Sequence, residues 1–334
     1  MTRRFACIAG MGSALGSKVV SNEELARDLD TSDEWIRSRT GIVARRFAAP
    51  EETASSLAAD AGSRALDAAG IDPGVIDMTV VATVSGDQPL PSTASFVQER
   101  LGMQGWAFDL GAACAGFVYG LEVASAHIAA GSAENVLVVG TEVLSRFLDF
   151  TDRSTCVLFG DGAGAAVVVA GQEPGVIGSA LETDGRLAEL LQIPAGGSRA
   201  PASEDTVRRS EHFIKMADGS EVFRRAVEAM AGTASSLLEK SGMTPDDVSL
   251  LVPHQANARI IRSVAQRLSF PEERVFVDLA YVGNNSAASV PAAMDRAWRA
   301  GRLQPGDLVL TVAFGAGMAW GANLIRWTAP EVAS

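Results

Sequence analysis

Cys114 is the residue whose setting most suggests chemistry. It follows a predicted strand from Trp106 to Leu110 and opens a predicted helix over 115–130. A thiol at a helix N-terminus feels unpaired N–H groups, which favour the thiolate, the nucleophilic form. Gly111, Ala112, Ala113, Ala115 and Gly116 flank it, and such small residues would let a substrate backbone approach closely. A packed core cysteine would suit the same segment. The other two cysteines, Cys7 and Cys156, lie in apolar runs and read as buried small side chains. Three scattered cysteines make neither a disulfide framework nor a zinc site, and no metal is expected.

A sulfur nucleophile that attacks a carbonyl needs neighbours that stabilise charge on oxygen. Of three histidines, His254 ends a predicted strand over 249–252 and precedes a helix. Open α/β sheets place ligand-binding groups at such strand ends. His127 and His212 read as surface or packing residues. Asn284, in Gly283-Asn-Asn-Ser-Ala-Ala-Ser, could cap a helix and serve a site as well. The segment Phe314-Gly315-Ala316-Gly317 turns between two apolar strands. Its Gly317 N–H and the Cys114 N–H could together form an oxyanion hole. The glycines of 10–16 have the wrong spacing for a dinucleotide fingerprint, and those of 160–164 lead into a strand rather than a helix.

The elements that must position these groups come in two copies. Gly70-Ile-Asp-Pro73 through Val80 matches Gly242-Met-Thr-Pro245 through Val252, and Gln98 to Leu101 is echoed by Gln266 to Leu268. The Gly111–Phe117 segment parallels Gly283–Ser289, and 157–169 parallels 310–325 as strand, glycine-rich turn and strand. The matches keep one order. Each half alternates strands and helices, which implies an α/β architecture with a mainly parallel sheet. The expected boundary divides the chain into 1–170, carrying Cys114, and 171–334, carrying His254 and Asn284. The halves would pack about a pseudo-two-fold axis, with Asn284 facing Cys114 across it. Residues 170–215, rich in Pro, Gly, Ser and charge, read as a connection and surface insertion.

Composition bounds the function. The 334 residues are 47% hydrophobic and 20% charged, ordinary for a well-packed globular chain. A net charge of −12 argues against generic binding to nucleic acid or to an anionic membrane. No apolar run approaches the roughly 20 residues of a bilayer span. The opening Met1-Thr2-Arg3-Arg4 and the apolar run after it faintly imitate a signal peptide. Gly10, Gly12 and Gly16 interrupt that run, which reads as a first strand and turn. A cytoplasmic protein is expected.

With these motifs in view, the whole chain resembles the thiolase-fold condensing enzymes, most closely the 3-oxoacyl-acyl-carrier-protein synthase III type. The resemblance is carried by Thr31 to Ile42, by the residues around Cys114, by 152–165, by His254-Gln-Ala-Asn257, by Gly283 to Ser289 and by Ala313 to Gly321. It implies a thiolase-like, layered αβαβα fold and the catalytic trio Cys114, His254 and Asn284. It further implies that Cys114 accepts an acyl group from acyl-CoA. His254 and Asn284 then stabilise the enolate formed when malonyl-acyl carrier protein loses carbon dioxide, starting fatty-acid synthesis with no cofactor beyond the CoA and phosphopantetheine thioesters. Carried over residue by residue, the resemblance places CoA on Trp35, Arg39 and Arg153. It places the acidic carrier protein on Arg224, Arg259 and Arg262, although a solvated helix face is the plainer reading of those arginines. It also implies a homodimer in which Leu90, where many relatives have Phe, reaches into the partner's acyl pocket. A smaller side chain there puts an acetyl-only preference in doubt. A related ketosynthase of a polyketide or quinolone pathway is the alternative.

Overall fold

The computed structural model describes residues 4–331; Met1–Arg3, part of the signal-like start, lie outside the described residues. The first half contains β1 (Phe5–Leu15), β2 (Lys18–Ser21), α1 (Asn22–Leu25), α2 (Asp33–Thr40), β3 (Ala44–Phe47) and α3 (Ala54–Ala69). It continues through β4 (Met78–Ala82), α4 (Thr93–Leu101), β5 (Trp106–Leu110), α5 (Gly116–Ala130), β6 (Asn135–Glu142) and β7 (Gly162–Gly171). The second half contains β8 (Val176–Thr183), β9 (Leu191–Gln192), α6 (Glu204–Arg208), β10 (Lys215–Met216) and α7 (Gly219–Lys240). It ends with β11 (Leu250–Pro253), α8 (Ala258–Arg267), α9 (Ser289–Arg299), β12 (Leu308–Gly315) and β13 (Ala319–Arg326).

The duplication is visible in the strand order. A five-stranded sheet runs β1-β7-β6-β4-β5 and a four-stranded one runs β8-β13-β12-β11. In each, the first three strands are antiparallel neighbours and the next pairing is parallel. A partner for the fifth strand survives in the second half only as a parallel bridge between Leu251 and Val275. Helices α5 and α9 lie between the sheets, α3 and α4 cover the outside of the first, and α7 and α8 cover the second. The αβαβα layering and the thiolase-like fold follow from that arrangement.

The central core explains why both middle helices are apolar. Phe117, Val118 and Leu121 of α5 and Val290, Met294 and Ala297 of α9 are buried between strands of the two sheets. The stretch 113–130 is long and apolar enough to cross a membrane, yet half of it is buried in this core. A helix packed against sheets on both faces needs apolar residues all round.

Three sequence expectations change. Of the glycines of 10–16, only Gly16 stands in the expected turn, between β1 and β2. β1 runs through Gly10 and Gly12, where a Cβ would lie 2.5 Å from the Ala69 N and 2.3 Å from the Ala61 O of α3. They are small because a helix backbone crosses the strand there. Residues 157–161 are not the first-half copy of β12, because that role belongs to β6, and 143–161 is a long excursion before β7. Finally, 170–215 is more than a surface insertion: β8 is a sheet strand, and Leu191, Ile193 and Ile214 line a cavity beside Cys114.

Close approach between the halves is tightest at Gly140, where a Cβ would lie 2.2 Å from the Ala287 carbonyl oxygen. Gly140→Ala is expected to destabilise the protein by about 1–3 kcal/mol through overpacking, read as a lower midpoint in chemical denaturation.

Candidate active site

Two matching turns build the site. Cys114 sits in a 3₁₀ turn, Ala113–Ala115, ahead of α5, and Ser286–Ala288 forms the same turn ahead of α9. Ala113 and Ser286 both adopt positive φ, 45° and 48°, a conformation sparsely populated by residues with a Cβ. The register therefore pairs Cys114 with Ala287, one residue away from the pairing expected from sequence. Ala115 donates to the Ala112 carbonyl and Gly116 to that of Ala113, so the turn's own bonds begin after Cys114.

Cys114, His254 and Asn284 are buried and line one cavity of 580 Å³. His254 follows β11, its N–H donating to the Val312 carbonyl of β12 at 2.7 Å. Its Nδ1 lies 2.6 Å from the Ser289 hydroxyl. That hydroxyl accepts from the Gln255 N–H at 3.4 Å and has no acceptor for its own proton among the described residues except Nδ1; we assign the tautomer in which it donates there and Nε2 carries the N–H. Burial pushes the ring's pKa down to about 3, so the imidazole is neutral. Asn284 is fixed by its backbone, which bridges Leu158 and Gly160, and by the Ser286 N–H, which donates to Oδ1 at 2.8 Å. The carboxamide Nδ2 is left as the free donor. Two uncharged N–H donors thus share a cavity with one thiol.

The thiol itself departs from the sequence expectation. Burial, the largest effect, together with the Glu142 carboxyl pushes the Cys114 pKa up to about 12, against a lowering by the neighbouring Ser286 hydroxyl. The Cys114 backbone N–H also lowers it, and burial outweighs both lowering effects. At rest Cys114 is a protonated thiol.

The same cavity is lined by Trp35, Arg39, Arg153 and Arg259. The Arg153 guanidinium lies over the Trp35 ring at 5.1 Å and hydrogen-bonds to Asp30. The pair is stacked on itself, and a flat ligand between them would have to part it. Arg259 and Arg262 of α8 are exposed and, among the described residues, have no ion-pair partner. Arg224 differs: Glu221 and Glu228 hold it at 2.6 and 3.0 Å, so much of its charge is neutralised locally. The other two histidines are peripheral: His127 bonds Ser132 and His212 stacks on Phe213.

A second cavity of 270 Å³ meets the first at Cys114. Val84, Leu144, Phe159, Ile193 and Ile214 make its walls apolar. Sequence reasoning missed these residues because five separate segments supply them. Leu90, 83% exposed, reaches neither cavity of its own chain. Gly317 (φ 128°) lines neither cavity, whereas Gly315 lines the larger and Ala316 the smaller. Gly315 was also missed, although the glycine itself was the signal: a Cβ there would lie 2.5 Å from the Cys114 nitrogen.

Fold and site together define a condensing enzyme of the thiolase fold. Family models for 3-oxoacyl-[acyl-carrier-protein] synthase III match residues 108–185, and those for its C-terminal part match 238–327. The chain is 48% identical to the beta-ketoacyl-[acyl-carrier-protein] synthase III of Caldanaerobacter subterraneus subsp. tengcongensis, over 96% of this chain and 97% of that one. It is also 48% identical to that of Methylococcus capsulatus, over 97% and 99%. Among solved structures, the 3-oxoacyl-[acyl-carrier-protein] synthase III of Aquifex aeolicus is similar, with a TM-score of 0.89 and 42% identity over 96% and 100% of the two chains. So is the priming beta-ketosynthase of the R1128 polyketide pathway, with a TM-score of 0.91 and 38% identity over 98% of each. The chain belongs to the 3-oxoacyl-[acyl-carrier-protein] synthase III family.

A buried neutral imidazole has a measurable consequence. The His254 ring is expected to stay unprotonated from pH 8 down to pH 5, since its depressed pKa lies below that window, seen as an unchanging ring resonance in nitrogen NMR. A ring that titrates near its ordinary value would mean water reaches it.

Proposed function

We propose that this acyltransferase starts fatty-acid synthesis by joining an acyl-CoA primer to malonyl-acyl carrier protein through an acyl-Cys114 intermediate. The observation that carries the reading is the convergence of a thiol with two neutral N–H donors where a polar-mouthed cavity meets an apolar one. In the first half-reaction the sulfur attacks the primer thioester and CoA leaves. In the second, malonyl-acyl carrier protein loses carbon dioxide. The His254 Nε2–H and the Asn284 Nδ2–H donate to the thioester oxygen as it gains enolate charge. Neutral donors suit this step, because a charged imidazolium could give up its proton and quench the carbanion. The carbanion attacks the acyl-Cys114 carbonyl, whose oxyanion we assign to the Cys114 N–H, with the Gly315–Ala316 turn beside it in place of the expected Gly317, which lines neither cavity. None of these steps calls for a metal or redox cofactor.

The primer's CoA would occupy the wide cavity, its adenine parting Trp35 from Arg153 and its phosphates near Arg39. The acyl chain would enter the apolar cavity, which is far larger than a methyl group requires. We further read the enzyme as a cytoplasmic homodimer whose partner subunit presents its own copy of the loop bearing Leu90. The similarity to a polyketide priming ketosynthase keeps a specialised pathway as the second reading.

Intact-protein mass spectrometry after exposure to a panel of acyl-CoAs tests the assignment. Cys114 is expected to gain the acyl mass, with primers longer than acetyl accepted, and Cys114→Ala to gain none. Adding malonyl-acyl carrier protein should then release the 3-oxoacyl product. Failure to form it with any primer would favour the second reading.

For the carrier protein, Arg259→Glu and Arg262→Glu are expected to raise KM for malonyl-acyl carrier protein while leaving acylation by acyl-CoA near its normal rate. Opposed charges steer encounter, so the KM effect should shrink at high salt. Arg224→Glu should matter less, given its two carboxylate partners.

A further inference from the structure

The site raises a question of proton balance. Cys114 is held as a thiol, and sulfur must lose its proton before it attacks a thioester. His254 is a poor acceptor, since its Nδ1 is bonded to Ser289 and its Nε2 already carries hydrogen. A different group lies behind the sulfur. Glu142, at the carboxyl end of β6, is fully buried, with no cation paired to it among the described residues. One carboxylate oxygen accepts from the Ser85 hydroxyl, from the Val84 N–H at 3.2 Å and from the Thr83 hydroxyl at 3.3 Å. The other accepts from the Ser286 hydroxyl at 3.0 Å. Ser286 in turn lies against the Cys114 sulfur, and both line the apolar cavity.

A buried carboxylate without a counter-ion is costly to keep charged. A β-strand end at a sheet's interior could hold a neutral residue more cheaply, so the position calls for a use. The geometry supplies one. A serine hydroxyl that donates to a carboxylate has its oxygen lone pairs free to accept, and the S–H of Cys114 is its other neighbour.

We propose that Glu142, acting through the Ser286 hydroxyl, takes the proton of Cys114 when the enzyme is acylated and returns it when the product leaves. As the sulfur bonds to the primer carbonyl carbon, its proton passes to the Ser286 oxygen and the Ser286 proton passes to Glu142. The C–S bond to CoA then breaks, and the CoA thiolate takes a proton from solvent. After condensation the tetrahedral intermediate expels Cys114 as thiolate, which recovers the proton from Glu142 by the reverse path. Thiol, hydroxyl and carboxylate end as they began. The inference rests on Cys114 being the nucleophile.

Burial raises the Glu142 pKa to about 7, against the lowering by its hydrogen bonds, so the group can both accept and release a proton near neutrality. The groups facing it are the hydroxyls of Thr83, Ser85 and Ser286, the Val84 N–H and, beyond Ser286, the Cys114 thiol.

The test is the single-turnover rate of Cys114 acylation by acyl-CoA, followed by intact mass, beside the rate of malonyl-acyl carrier protein decarboxylation. Glu142→Gln and Ser286→Ala are each expected to slow acylation by about 10²-fold or more, the usual scale of general acid–base catalysis. The double variant should lose no more than either single one, because the two act as one path. Wild-type acylation should fall as pH drops through about 7, where Glu142 gains its proton, and Glu142→Gln should lose that inflection. The opposite sign is available and would overturn the proposal. If Glu142 acts only by its charge, removing it eases thiolate formation, and Glu142→Gln acylates faster than wild type. Equal slowing of acylation and decarboxylation would also overturn it, by reducing Glu142 to a prop for the turn at Ser286. Absence of acylation in the wild-type control would instead defeat the functional reading itself.

Discussion

The site depends on how near two backbones can come across the middle of the molecule. The turn before α9 rests on β6 at Gly140, and the first residue of α5, Gly116, lies against Ala287. Side chains of ordinary size would hold these turns apart, and with them Cys114 from Asn284. The glycine and alanine content that gives the chain its bland composition is therefore what lets a first-half thiol meet second-half donors. Packing of this kind is steep: a few tenths of an ångström is felt in a close-packed interior.

The same closeness sets the electrostatics. Excluding water strengthens every fixed dipole in the site and penalises every ionised group. His254 answers by staying neutral, Cys114 by keeping its proton and Glu142 by titrating near neutrality. The site is thus short of charge at rest and equipped to handle charge that appears on substrate oxygen. Hydroxyls do much of the arranging, since Ser289 fixes one ring nitrogen of His254 and Ser286 links the sulfur to Glu142.

Much of this was legible in the residues. Repeats of glycine, proline and apolar positions disclosed two copies of one α/β unit, and Cys114, His254 and Asn284 stood at strand and helix ends. The repeat alignment slipped by one residue at the turns because small residues fill both, so sequence gave no landmark where backbone torsion did. The ionisation of Cys114 was misjudged, since a helix end is visible in sequence and burial is not. Glu142 went unnoticed because it ends a strand of valines and its partners lie far away in the chain. The apolar cavity was illegible for a like reason, its walls being assembled from 84, 113–114, 144, 159, 191–193 and 214. Arg224 looked like a free cation until Glu221 and Glu228, its neighbours on successive turns, were seen to embrace it.

The two cavities meet along Cys114, Phe159 and Leu191, and only one of them is lined by charged residues. On the function proposed above, both long-armed donors use the same corridor at different times, like two trains on one track. Whichever is in excess blocks the other's way in. A cell that lets either donor accumulate would throttle this enzyme without any dedicated regulatory site.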